Sequence, residues 1–210
     1  TRGGRHGTGP QPAAQTTAVA ANAIIHADAH LSGNGGTVSI WSSGNTLFAG
    51  TVTATGGSQS GSGGMVETSG HVLNVADSAM VNASATSGAR GQWLLDPLNL
   101  TVVASSPIPD PTLTGGTLPY SDPSSTIKAS TISNALMAGS DVTLQAVDDI
   151  TVNSAINGSN TGRTLTLDAG RSIFINGSIN MNGDVGTLVL STSHPGETRT
   201  HPGAAVINSS

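Results

Sequence analysis

Five aliphatic residues recur at one fixed step, and that recurrence limits the folds open to this chain more than any other feature. Val142, Leu144, Ile150, Val152 and Ile156 return 23 residues later as Leu165, Leu167, Ile173, Ile175 and Ile179. The first two return once more as Leu188 and Leu190, and Asn153 and Asn157 keep the same step to Asn176 and Asn180. Inside each unit apolar residues alternate with others at period two, which is strand periodicity. Short strands repeated at constant step describe a solenoid, where each turn buries its apolar side chains against its neighbours. A sandwich would repeat hairpins instead of a whole three-strand cassette. The fold expected is all-β, a right-handed parallel β-helix with like side chains stacked about 4.8 Å apart. About seven or eight turns would make a rod of roughly 35 Å at that spacing.

Composition agrees. Charged residues are 9% and aromatics 2% of the 210 residues, where a compact globule carries about 25% charged. Disorder normally pairs low hydrophobicity with high net charge; here the apolar share is 36% and the formal charge −5. Narrow stacks of Val, Ile, Leu and Thr, punctuated by 28 glycines, need few aromatics. The chain has no cysteine, so neither disulfides nor zinc-thiolate sites contribute and repetition must supply the stability. Scattered Lys and Arg make no basic stripe for nucleic acid, and no apolar run is long enough to span a membrane.

Residues 1–21 read as a poorly ordered leader without a secretory-signal core. The chain reads as an internal or trimmed piece of a longer polypeptide. In residues 22–104 the step lengthens to 27–28, with glycines 35–36 recurring at 63–64 and Gly91 following. Each opens a strand, and Leu47 with Ala49, Leu73 with Val75, and Leu100 with Val102 supply the next strand of each turn. Residues 105–140 hold Pro107, Pro109, Pro111, Pro119 and Pro123, a loop or excursion because proline cannot donate to a ladder. Then comes a short helix, Thr131 to Ala138, with Gly139 as C-cap and Ile132, Leu136 and Met137 on its apolar side. Residues 141–192 carry the 23-residue turns, and residues 193–210, with Pro195 and Pro202, form an irregular tail.

Chemistry is sparse. Asp148 and Asp149 are adjacent, so alternation sends them to opposite sides, and one step later stand Arg171 and Ser172. Asp28, Glu67, Asp77, Asp96, Asp168 and Asp184 do not recur in register, which gives them turn or solvated-edge roles and leaves no converging acid pair. His26 and His30 are four apart, which in a strand builds no common face, and His6, His71, His194 and His201 are dispersed. Asn82, Asn99, Asn157, Asn176 and Asn208 each begin an Asn-x-Ser/Thr sequon. We expect no catalytic residue, no bound cofactor and no metal.

One segment is more distinctive. Gly91-Gln92-Trp93-Leu94-Leu95-Asp96-Pro97-Leu98-Asn99-Leu100-Thr101-Val102 resembles the Leu-Asp-Pro-x-Asn element of filamentous-haemagglutinin-like exoproteins, the large adhesins and haem-utilisation proteins of bacterial two-partner secretion. Gly63 to Gly70 is similar to that family's Gly-Gly-x-Val-Glu-x-Ser-Gly turn, and Ile132 to Leu136, Gly139 to Leu144 and Asp149 to Val152 also fit. The likeness covers about Gly33 to Leu190. Read physically, Trp93 and Leu95 continue the inward positions, with Trp93 a core plug. Asp96-Pro97 forces a turn and Asn99 bonds locally before the strand resumes. The family's N-terminal secretion domain and C-terminal anchor are not in this sequence. The resemblance implies a non-catalytic, secreted, cell-surface rod that adheres to host cells, matrix or other bacteria. Its partners would be an unidentified receptor and an outer-membrane transporter reached through a separate N-terminal domain. The alternative it implies is a haem or haem-carrier binding module, and sequon glycosylation is a further family feature.

Overall fold

The computed structural model describes residues 13–105, 124–158, 162–182 and 186–192, with the backbone of 204–207. Most of the Pro-rich excursion, the start of the leader, most of the tail, and His6, Asp184, His194, His201 and Asn208 lie outside the described residues. In chain order the strands are β1 (Thr16–Val19), β2 (Ile24–His26), β3 (Thr37–Phe48), β4 (Thr51–Thr53), β5 (Met65–Val75) and β6 (Met80–Asn82). There follow β7 (Gln92–Asp96), β8 (Leu100–Val103), β9 (Thr126–Lys128) and the helix α1 (Ala129–Ala138). The later turns comprise β10 (Asp141–Ala146), β11 (Asp149–Val152), β12 (Ile156–Asn157), β13 (Thr164–Ala169), β14 (Ser172–Ile175) and β15 (Ile179–Asn180). The last two strands are β16 (Thr187–Thr192) and β17 (Ala204–Ile207).

These strands form a parallel β-solenoid of about six turns with a single short helix. On the first face β3, β5, β7, β10, β13 and β16 lie in order. On the second, β3 and β5 bend round the corner, and the order is β1, β3, β5, β9, β8, β11, β14, β17. The third face carries β2, β4 and β6, then β12 and β15. Register in the later turns follows the 23-residue step. Val142 pairs with Leu165 and Leu165 with Leu188, Leu144 with Leu167 and Leu167 with Leu190, Ile150 with Ile173, Val152 with Ile175, and Ile156 with Ile179. All of these are fully or almost fully buried up to Ile175, whereas Leu188, in the last first-face strand, is 39% exposed.

The glycine pairs mark the corners where one turn hands over to the next. Gly36, Gly64 and Gly91 donate their N–H to the carbonyls of Ala27, Ala54 and Ala83, closing each turn on the strand that ends the previous face. Their own carbonyls accept from Met65, Gln92 and Asp141 of the following turn. Two backbones pass so closely here that a methyl group on Gly91 would lie 2.1 Å from the Gly64 carbonyl oxygen. No side chain fits there.

The wedge made by β9 and α1 is the chief departure from the expected layout. Residues 124–138 supply one short strand and the helix, and the solenoid has about six turns where seven or eight were expected. Strand β9 inserts between β5 and β8, bonded to one by Asn74↔Thr126 and to the other by Thr101↔Thr126, Val102↔Ile127 and Val103↔Lys128. The helix then packs between β6 and β12, standing in the third wall where a strand would be. It begins at Ala129, two residues before the expected start, and ends at Gly139, whose φ of 112° is left-handed. Ile132 and Leu136 are buried, each contributing about 1.5–3 kcal/mol, while Met137 is exposed.

Three further expectations need correction. Leu47 pairs with Asn74, and it is Thr46 that pairs with Leu73, because a register shift between Ser42 and Asn45 moves this strand by one. Thr16–Val19, inside the expected leader, is a strand on β3, too short to show alternation. Ala204–Ile207, inside the expected tail, pairs with β14 at a step of 32 residues, which a search at constant step passes over.

Gly91→Ala is expected to lower stability by about 1–3 kcal/mol, because the added methyl forces two ladder strands apart. Urea denaturation with an unchanged m-value checks it. An unaltered midpoint would mean the corner yields without strain.

Candidate functional site

The corner from Trp93 to Asn99 sits in the middle of the stack. Trp93 and Leu95 point inward and are fully buried. The Trp93 Nε1–H donates to Thr68 Oγ1 at 3.0 Å, and its ring meets Phe48 edge-on at 6.5 Å, a contact worth about 0.5–1.5 kcal/mol beyond burial. Leu94 faces outward in register with Glu67 and Thr143, yet it too is buried. Asp96 ends β7 and Pro97 turns the chain. Asn99 does not bond locally: its Oδ1 accepts from the Asp149 N–H of the next turn at 3.0 Å. Corners stack as strands do, so the nearest unpaired donor lies one step along the rod. Beside this corner an open cleft of about 270 Å³ is lined by His71, Val72, Leu98, Asn99, Thr101, Ser124 and Ser125.

A second polar cluster lies on the third face. His26, Thr53 and Asn82 stack in one column, and Asp28, Thr55 and Ser84 follow two residues on. Thr53 Oγ1 donates to Asp28 Oδ2 at 2.5 Å, and Thr55 donates to Asp28 Oδ1 from its N–H at 2.7 Å and its hydroxyl at 2.9 Å. The His26 Nδ1 lies 2.8 Å from Thr53 Oγ1 and 3.2 Å from Asp28 Oδ2, and the imidazole side chain is 64% exposed. Partial burial works to raise the Asp28 carboxyl, but the bonds from Thr53 and Thr55, with His26 alongside, outweigh it and hold it below the usual range.

Elsewhere the outer faces carry polar ladders. Thr143 lies over Thr166, Gln145 over Asp168 and Asp168 over Ser191, and Thr164 over Thr187. Asn176 Nδ2 donates to Asn153 Oδ1 at 2.8 Å, and Asn157 pairs with Asn180. Arg171 forms an ion pair with Asp149, and Lys128 one with Asp77 at 2.7 Å. Glu67 departs from the edge role expected of the acids: it is 1% exposed and accepts from Ser39 Oγ at 3.0 Å. Among the sequons Asn99, Asn157 and Asn176 are exposed, and Asn82 is half-buried, its Oδ1 bonded to the Ser84 N–H. Among the described residues no three His, Asp or Glu side chains gather at metal-binding distance, and no helix is long and apolar enough to cross a membrane.

Sequence reasoning missed the cleft and the wedge beside it. No residue type announces them; the signal lies in Ser125, Ser133 and Ser140, hydroxyls placed where strand partners end. Compared with known proteins, the chain matches no protein-family model and no curated protein.

Asp28 gives a prediction of pH dependence. A folded-state pKa depressed below the unfolded value near 3.9 means stability present above about pH 4 and lost as pH falls through the lower folded value. NMR titration should place the Asp28 carboxyl below a reference Asp, and Asp28→Asn should flatten that part of the acid-unfolding curve. A midpoint at or above the reference contradicts the hydrogen-bonded cluster.

Proposed function

We propose that this chain is a non-catalytic rod segment of a secreted, surface-associated bacterial exoprotein of the filamentous-haemagglutinin-like kind. Its work is to hold polar ladders out for contact with host cells, matrix or other bacteria. The observation that carries this reading is the in-register stacking of Thr, Gln, Asp and Ser on the outside of a rigid parallel stack. Such columns repeat one weak polar contact every 4.8 Å or so, and repeated weak contacts add by avidity without a deep pocket. The Gly91–Val102 segment supports the family. Its partners on this reading are a surface receptor and, through another domain, an outer-membrane transporter. Beads coated with the purified chain should bind epithelial cells well above beads carrying an unrelated β-rod. Equal binding overturns the reading of these residues as adhesive and leaves a spacer.

The second reading, a haem-binding module, draws on His26. An exposed imidazole whose Nδ1 is held by a carboxylate and a hydroxyl presents Nε2 in the way metal-ligating histidines do. It predicts a Soret shift on adding haem that His26→Ala removes. A shift that survives His26→Ala sinks the role of this residue.

A further inference from the structure

Strand β9 enters the rod between two strands that already match each other. Asn74 of β5 pairs with Thr126, and Thr126 with Thr101 of β8. Asn74 and Thr101 are 27 residues apart, the step at which β7 sits directly on β5 through Met65↔Gln92. The inward residues keep it too, from Leu73 to Leu100 and from Val75 to Val102. The backbone groups facing β9 also correspond. The Leu73 N–H donates to Ser125 Oγ at 3.0 Å, and the Thr101 N–H to the Ser125 carbonyl at 3.0 Å. With β9 withdrawn, β5 and β8 would face each other in register.

The approach to β8 is already closed, since the Leu98 N–H donates to the His71 carbonyl at 3.1 Å. From that point β5 and β8 diverge around the cleft lined by His71, Leu98 and Ser125. The hold of β9 on β5 is short, a single residue pair, against five between β5 and β7. Thr126 Oγ1 is buried there without a hydrogen-bond partner among the described residues. Strand β9 is held also by the buried Ile127 and by the Lys128–Asp77 ion pair at 2.7 Å. Helix α1 fastens the rest of the wedge: Ile132 and Leu136 are buried, Arg163 Nε donates to the Leu136 carbonyl at 3.2 Å, and the Asn157 N–H donates to Ser133 Oγ at 3.0 Å.

We propose that residues 124–138 are an exchangeable wedge. The rod has a second state in which β9 and α1 leave together and β8 closes on β5 at the 27-residue step. Departure bares the apolar side of α1 and takes one strand out of the second face, so the segment is a switch built into the wall.

The absence of cysteine allows a direct test on the whole chain. In the wedged state the Cα atoms of Asn74 and Thr101 are two strand spacings apart, about 9.6 Å, beyond the roughly 7 Å a disulfide spans. In the closed state they are neighbours. The variant Asn74→Cys/Thr101→Cys is oxidised mildly beside Thr143→Cys/Val189→Cys, whose residues are also two spacings apart, across β13. Circular dichroism confirms that both are folded. The first pair should crosslink and the control lag far behind. Adding Leu136→Ala, which loosens the helix, should speed the first pair by about tenfold or more without moving the control. Ser125→Ala serves in its place if Leu136→Ala fails to fold. Equal rates for the two pairs, with and without the loosening substitution, overturn the proposal, because crosslinking would then report unfolding of the whole rod or nothing.

Discussion

Parallel backbone hydrogen bonding from each strand to the one a turn later is the constraint on which the rest of this molecule depends. Once that ladder is laid down, every side chain sits about 4.8 Å from its counterpart above and below. Aliphatic must lie over aliphatic, as Ile150 does over Ile173. Like charges stacked at that distance repel by roughly 1 kcal/mol even in water, which accounts for a charged content of only 9%. The acids obey the same rule, with Asp149 over Ser172 and Glu67 between Ser39 and Leu94. The corners obey it as well, since a backbone that must touch the next backbone leaves room only for glycine.

Where the ladder is interrupted, side chains stand in for it. Ser125 Oγ takes the Leu73 N–H, Ser140 Oγ the Ala83 N–H, Ser133 Oγ the Asn157 N–H, and Asn99 Oδ1 the Asp149 N–H. All four lie around the wedge. The three serines supply acceptors to buried or half-buried donors that would otherwise be left unpaired, at about 1–3 kcal/mol apiece, while the Asn99 bond is exposed. This is how a solenoid admits a helix into its wall without opening to water.

Those interruptions also mark the limit of what could be read in advance. The later turns were legible residue by residue, because one side of each strand is buried and a slip of one position would turn Val142, Leu144 and their counterparts outward. The earlier turns were legible in step but not always in register, since Thr46, Leu47 and Phe48 are all buried and alternation is lost there. The helix was legible and its position was not. An apolar stripe says which side of a helix faces protein, not which wall lacks a strand. The step of 27 running from Leu73 to Leu100 reads as direct contact, though a strand lies between them. Of the polar clusters, His26 and Asp28 were visible as residues, but their meeting through Thr53 depends on a neighbour one turn away.

The second face has one strand more than the first between β5 and the turn that begins at β10. In the language of crystals, a layer that ends inside a stack is an edge dislocation. On either side of it the lattice is regular and shares a load evenly; at its tip, beside His71 and Leu98, the load concentrates. A stack of strands pulled along its axis yields first at such a defect. Its position, near the middle of the stack, sets which turns stay behind and which come away.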